Sequence, residues 1–201
     1  MRKALTASEA FLFTAAVLFD IWYLHFRSAW GDALPAAIVI ASFVAHRETV
    51  RSLGLSLNEF VQALYAWRYA SAAFVACAIA AVFIMGHHPF YLLYRGVRYF
   101  VWCVIQQVLF QNMIYRRLRP GLGDGWVAAS LSGVLFALAH LPNPILVPAT
   151  LGWGTVSARL FERWPSVLAL AVLQTVLSSL LYWVSPGGLS HQFRVGPGYY
   201  W

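Results

Sequence analysis

Long apolar runs, separated by short segments that carry most of the charge, restrict this chain to few kinds of fold. Of its 201 residues, 61% are hydrophobic and only 10% are charged, whereas an average soluble domain carries about 25% charged residues. A chain of this length cannot bury that much apolar surface in a core of its own. Because helices satisfy their own backbone hydrogen bonds in lipid, the sequence predicts an all-α, polytopic transmembrane helix bundle.

The runs predict about seven membrane-spanning helices, of which the second and fifth are short compared with the roughly 20 residues that cross a membrane. We place them at residues 9–27, 32–46, 69–86, 96–115, 126–141, 144–161 and 166–184. Residues 1–184 are thus predicted to form a single transmembrane domain. Cys77 and Cys103 both fall inside apolar runs and are expected to be free thiols.

The basic residues predict the orientation of the bundle in the membrane. If the N-terminus is cytoplasmic, ten basic residues lie on the inner side: Arg2, Lys3, Arg47, Arg51, Arg68, Arg116, Arg117, Arg119, Arg159 and Arg163. Arg27, Arg95, Arg98 and Arg194 then lie on the outer side. The positive-inside rule therefore predicts a cytoplasmic N-terminus and an external C-terminus. A bacterial cytoplasmic membrane is the expected location.

The net charge of +7 favours membrane lipids as partners, because basic segments near a membrane bind anionic headgroups. Nothing in the sequence resembles a nucleic-acid-binding motif, so no nucleic-acid partner is expected. A membrane protein or a larger membrane complex is the expected protein partner.

Two segments are expected to lie outside the bundle. Residues 52–66 show apolar positions at helical spacing, and Ser56 with Glu59 matches a capping box; they predict an amphipathic helix on the membrane surface or, alternatively, a helix that binds a partner. Residues 185–201 contain glycines, prolines and a terminal aromatic cluster. We expect this tail to be extramembrane and anchored at the interface, or else folded back over the bundle through His191 and Arg194.

Side-chain amides are concentrated in the fourth predicted span, within "VWCVIQQVLFQNMIYRRL". Gln107 and Gln111 share one helix face, Gln106 is rotated by about 100°, and Asn112 follows. Such groups must face the interior of a bundle, either to join helices or to line a functional cavity. The fifth span carries Phe136 and His140, and the seventh carries Gln174 and Ser178, each pair at four-residue spacing. We expect all three spans to share one site.

The order of these motifs resembles the CAAX prenyl protease and bacteriocin-processing (CPBP, or Abi) family of intramembrane proteases. That family carries Glu-Glu-x-x-x-Arg, then Phe-x-x-x-His, then His-x-x-x-Asn on successive helices. The second motif is present here as Phe136 and His140 in "FALAHLPN", which also contains Asn143. The first motif aligns with Gln106, Gln107 and Gln111, and the third aligns with Gln174 and Ser178, by position rather than identity.

The resemblance implies that a glutamate would activate water while the other motif residues orient it and stabilise the oxyanion. Here Gln106 stands in the place of that base, and a neutral amide cannot accept a proton from water. The degenerate catalytic set is therefore Gln106, Gln107, His140 and Gln174, and the binding set is Gln111, Asn112, Phe136, Asn143 and Ser178. No metal and no cofactor is expected.

Three functions remain open on the sequence. An inactive pseudoprotease would bind a membrane peptide, a lipid or a partner complex as an accessory subunit. A divergent active endopeptidase would use His140 as its base, since imidazole titrates near neutral pH. A pigment- or haem-binding membrane subunit would use His140 as an axial ligand.

Overall fold

The computed structural model describes residues 2–25, 27–28, 30–69, 72–73, 75–76, 79–80, 89–185 and 187–201. The predicted third span, 69–86, lies largely outside these residues, and Cys77 lies outside them. Every regular element among the described residues is helical, which confirms the all-α prediction.

The helices follow the apolar runs of the sequence. They are α1 (Arg2–Phe19, extended by a π-helical turn Asp20–Leu24), α2 (Ala33–Ala45), α3 (Leu57–Ala66), α4 (Pro89–Leu109, continued by a π-helical segment Phe110–Tyr115), α5 (Arg116–Leu122), α6 (Gly125–Leu138), α7 (Leu146–Arg163) and α8 (Val167–Val184).

Only part of this helical content meets a strict test of length and hydropathy for crossing a membrane. Among the described residues, the segment Thr6–Leu24 is both long and apolar enough. Three shorter apolar helical segments accompany it: Ala33–Ala45, Gly125–Leu138 and Val167–Tyr182. The count of seven spans therefore stays a prediction.

Helices α6 and α7 pack closely because glycines face each other across their interface. A Cβ atom added at Gly154 would lie 2.9 Å from the Cα of Gly133. One added at Gly133 would lie 2.7 Å from the backbone oxygen of Leu151. Small residues of this kind let membrane helices approach and gain packing contacts.

Pro142 and Asn143 shape the connection between α6 and α7. Helix α6 stops at Leu138 rather than near residue 141, because Pro142 lacks a backbone donor and disfavours helix at the residue before it. The side chain of Asn143 then accepts hydrogen bonds from the backbone of Ile145 at 3.1 Å and Leu146 at 3.0 Å. His140 is thus held on the short connection between the two helices.

The amphipathic helix α3 begins five residues later than predicted. Ser56 is its N-cap residue, as expected, but the Ser56 hydroxyl makes no capping bond to the first turn and interacts with the Glu59 carboxylate instead. The residues before it form turns, where the Ser52 hydroxyl donates to Glu48 at 2.7 Å.

These turns dock on the bundle through backbone carbonyls. Leu53 accepts a hydrogen bond from Asn112 at 3.3 Å, and Gly54 accepts one from the backbone of Val167 at 2.9 Å. The segment "RSLGLSL" is therefore attached to both α4 and α8.

The C-terminal tail folds back on the bundle. The backbone of Gly196 donates to the carbonyl of Leu141 at 2.7 Å, and the Asn143 amide donates to the carbonyl of Ser190 at 2.8 Å. Gly196 has a φ of +57° and lies against Ile21, so both its conformation and its surroundings favour glycine. Of the two residues that the sequence suggested for a folded-back tail, Arg194 takes part through its backbone carbonyl, which accepts a hydrogen bond from the Asn143 amide at 3.2 Å.

Candidate functional site

A chain of side-chain amides links α4 to α8 inside the bundle. Gln111 donates to Gln107 at 2.9 Å, and Gln107 donates to Gln174 at 2.6 Å. Gln174 in turn donates to Gln106 at 2.7 Å. The amides of the fourth and seventh predicted spans therefore meet directly, as the sequence predicted.

Burial separates these amides into two groups. Gln107 and Gln111 are fully buried and so is Asn112, which agrees with the expectation that the amide-bearing face points inward. Gln106 is only half-buried and lies on the wall of a cavity, together with Gln174. The chain of amides thus runs from the closed interior to the cavity wall.

Helix α7 supplies two partners that sequence reasoning missed. The Ser157 hydroxyl accepts from Gln111 at 3.3 Å, and the Trp153 indole donates to Gln174 at 3.3 Å. Neither residue belongs to a motif, and serine and tryptophan are common in membrane helices. No signal in the sequence distinguished them.

The cavity encloses about 1930 Å³ and has a largely apolar wall. Helices α1, α2, α4, α6, α7 and α8 and the C-terminal tail all contribute to this wall. Four of the sequence-predicted site residues besides Gln106 face it: Phe136, His140, Gln174 and Ser178. The fifth predicted span therefore joins the site through the cavity and not through the amide chain.

His140 is oriented by its own helix. Its Nδ1 lies 2.8 Å from the backbone oxygen of Phe136. Because a carbonyl oxygen only accepts hydrogen bonds, Nδ1 carries a proton, and a neutral ring has its lone pair on Nε2. The Phe136 ring packs edge-on against the imidazole at 4.8 Å and against Phe110 at 4.9 Å. These aromatic contacts connect α6 with α4.

The remaining predicted binding residues lie in different surroundings. Asn112 donates to backbone oxygens and accepts a hydrogen bond from Arg116 at 2.9 Å. Asn143 holds the tail and the start of α7, as described above. Both side chains join parts of the fold, and neither is among the residues of the cavity wall.

The amide chain offers hydrogen bonds but no base. The carboxamide oxygens of Gln106, Gln107 and Gln174 each accept a hydrogen bond from a neighbouring side chain. An amide oxygen is too weakly basic to take a proton from water at neutral pH. This part of the cavity can orient a polar group of a ligand, but it cannot activate water as a carboxylate would.

Carboxylates do line the cavity at another place. Asp20, His25 and Asp32 border it, on the segment between α1 and α2. Gly196 contacts both Ile21 and Leu141, so this cluster and His140 lie at the same end of the bundle. The sequence signal for this cluster is an acid on either side of His25, with Asp20 near the end of the first predicted span and Asp32 at the start of the second.

Comparison with known families matches this part of the chain. The family model described as type II CAAX prenyl endopeptidase Rce1-like matches residues 91–180, a segment that contains the amide residues, His140 and Gln174. No curated protein and no solved structure matches the chain. Over residues 91–180, just under half of the chain, the protein is thus similar to the CPBP-type, Rce1-like membrane proteases.

Proposed function

We propose that this protein is an inactive relative of the CPBP-type proteases, which uses its cavity to bind a membrane peptide or lipid as an accessory subunit of a larger membrane complex. The observation that carries the proposal is the amide chain at the position of the family's catalytic carboxylates. Gln106, Gln107 and Gln174 bond to one another there, so among the described residues of the amide chain no carboxylate is present to deprotonate water.

We expect inactivity because the contribution of a general base to the reaction rate is large. A well-placed general base accelerates a reaction by about 10²–10⁴-fold. The glutamines have a structural function instead, because their hydrogen bonds join helices. Each such bond between membrane helices contributes about 0.6 kcal/mol. The site is therefore arranged to hold α4, α7 and α8 together.

The cavity supports binding as the retained function. Its wall is largely apolar, and its polar groups include Gln106, His140 and Ser178. This combination is typical of sites that bind apolar ligands in a defined orientation. A prenyl or acyl chain, or the apolar side chains of a membrane peptide, would meet matching surface there.

The test measures cleavage and binding on the same purified protein. In lipid nanodiscs, we expect the wild-type chain to bind a fluorescent prenylated peptide and to leave it uncleaved. The double variant Gln106→Glu, Gln174→His restores the family residues at both positions and is expected to gain cleavage. Gln62→Glu, an exposed substitution on α3, is the matched control. Efficient cleavage by the wild type, or absence of binding, would contradict the proposal.

A second candidate function is supported by the geometry of His140. The bond from Nδ1 to the Phe136 oxygen leaves Nε2 of a neutral ring as a possible base at the cavity wall. If the chain is a divergent endopeptidase, wild-type protein cleaves a membrane peptide and His140→Ala does not. Cleavage that survives this substitution would exclude His140 as the base.

A further inference from the structure

We propose that Asp20, His25 and Asp32 form a binding site for one divalent transition-metal ion, of which Zn²⁺ is the reference. The site lies between α1 and α2, on residues that the degenerate protease motifs do not include. It is independent of the proposed binding of a peptide or lipid in the cavity.

The three side chains are close enough to share one ion. One ligand atom from each lies within 4.8 Å of the ligand atoms of the other two. Metal–ligand bonds of about 2.0–2.2 Å place two ligands of one Zn²⁺ at most about 4.4 Å apart. His25 and Asp32 are exposed, so small rotations of these two side chains complete the site.

Asp20 gives an independent indication that a partner is missing. Its side chain lies in the π-helical turn, only 6% of the residue is exposed, and its Oδ1 is buried without a hydrogen-bond partner. A Cβ at Gly31 would lie 2.4 Å from this oxygen and 3.2 Å from the backbone nitrogen of His25, so Oδ1 points into the turn between His25 and Asp32. Because a buried carboxylate without a partner is costly, a cation at this point would stabilise it.

The closeness of the two acids, Asp20 and Asp32, also indicates a cation at this point. A carboxylate oxygen of Asp32 lies within 4.8 Å of one of Asp20. Two carboxylates in contact repel unless a proton or a cation lies between them. His25 next to this pair favours the cation, because an imidazole adds a third ligand.

The ligand types indicate the class of metal. Ca²⁺ and Mg²⁺ prefer sites made of oxygen ligands alone, whereas imidazole together with carboxylates suits Zn²⁺ and its transition-metal neighbours. Three protein ligands leave a fourth position of a tetrahedral ion open. All three residues border the cavity, so this position would be accessible from it.

The experiment is a metal-binding measurement that needs no enzymatic assay. Protein carrying a tag without histidine is purified in detergent, treated with a chelator and titrated with ZnCl₂ by calorimetry and by thermal melting. We expect one Zn²⁺ per chain and a higher melting temperature with Zn²⁺. Loss of a second-shell group already weakens metal binding 10–100-fold, so His25→Gln and Asp32→Asn should each weaken it by about 100-fold or more.

The control is His191→Gln, an exposed histidine of the tail, which should bind Zn²⁺ as the wild type does. In the metal-free state, His25→Gln should melt at about the wild-type temperature because His25 is exposed. Asp32→Asn should melt no lower than the wild type, because it removes one of two neighbouring carboxyl groups that repel each other. These melts separate loss of binding from misfolding. Absence of Zn²⁺ binding, or unchanged binding in both variants, would overturn the proposed site. A proton shared by Asp20 and Asp32 would then be the explanation for the closeness of the two carboxyl groups. Equally tight binding of Mg²⁺ would overturn the assignment to a transition metal. Since the assay contains no peptide or lipid ligand for the cavity, its result is separate from that of the proposed function.

Discussion

Replacing Glu48 with glutamine should destabilise the bundle through a buried ion pair. Glu48 Oε1 lies 3.2 Å from the guanidinium of Arg117, and both side chains are only 5% exposed. Glu48 also lies 3.4 Å from Arg116. Removing one partner of a buried pair costs about 3–5 kcal/mol, because the other charge is left without compensation.

Remaining partners reduce this cost. Arg117 keeps Glu9, whose carboxylate lies 3.3 Å away, and Arg116 keeps the carbonyl of Ser52 at 2.8 Å. We therefore expect a loss of about 2–3 kcal/mol, just below the range for a fully isolated charge. For a chain of this length, that corresponds to a decrease in melting temperature of about 4–12 °C.

The same contacts predict how the effect depends on pH. Burial raises the pKa of Glu48. The hydrogen bond from Ser52 and the charges of Arg116 and Arg117 together lower this pKa by more than burial raises it, so it is below its usual value of 4.5. A carboxylate with a lowered pKa stabilises the fold above its unfolded pKa, and this contribution is lost as the pH falls through the folded pKa. The difference between wild type and Glu48→Gln should therefore shrink below pH 4.5.

The assay is tryptophan fluorescence during thermal melting of the detergent-purified protein. The matched control is Glu59→Gln, which removes the same charge from a pair with Arg51, a side chain that is 78% exposed. The Glu59 side chain is itself 16% exposed, but a pair whose cation lies in solvent contributes little, so this variant should melt closer to the wild type than Glu48→Gln does. Equal shifts in the two variants, or a pH-independent shift for Glu48→Gln, would refute the reasoning.

Two further predictions concern glycines. Gly133→Ala should lower the melting temperature, because its Cβ would meet the α7 backbone at 2.7 Å. Gly152→Ala adds a Cβ with nothing within 4 Å and should leave the melting temperature unchanged or raise it. An equal effect of both substitutions would refute close helix packing as the cause. Gly196→Ala should detach the tail and increase tryptic cleavage after Arg194, because that glycine combines positive φ with a tight contact. Gly123→Ala, which has positive φ in open space, should not increase that cleavage, and if it does, the tight contact is not the cause.

The helical class and the inward-facing amides could be predicted from the sequence, because both depend on local periodicity. Gln107 and Gln111 are four residues apart, and in lipid such groups must find partners inside the bundle. The "FALAHLPN" segment located His140 at the end of its helix for an equally local reason, since Pro142 cannot continue a helix.

The partners of these groups could not be predicted, because they depend on how helices pack. Nothing local distinguishes Ser157 or Trp153 as the α7 residues that reach the amide chain. Similarly, the later start of α3 depends on Glu48, whose interactions with Ser52 and the distant Arg117 hold the preceding residues in turns.

By itself, the sequence determined a helical bundle, an inward set of amides and the absence of a carboxylate at Gln106. Tertiary structure alone decided that Gln174 closes the amide chain, that the tail folds back through Gly196, and that Asp20 meets Asp32. The physical reason is the range of the forces. Hydrophobic periodicity and helix capping act within a few residues, whereas a hydrogen bond between side chains 67 positions apart exists only after packing has brought their helices together.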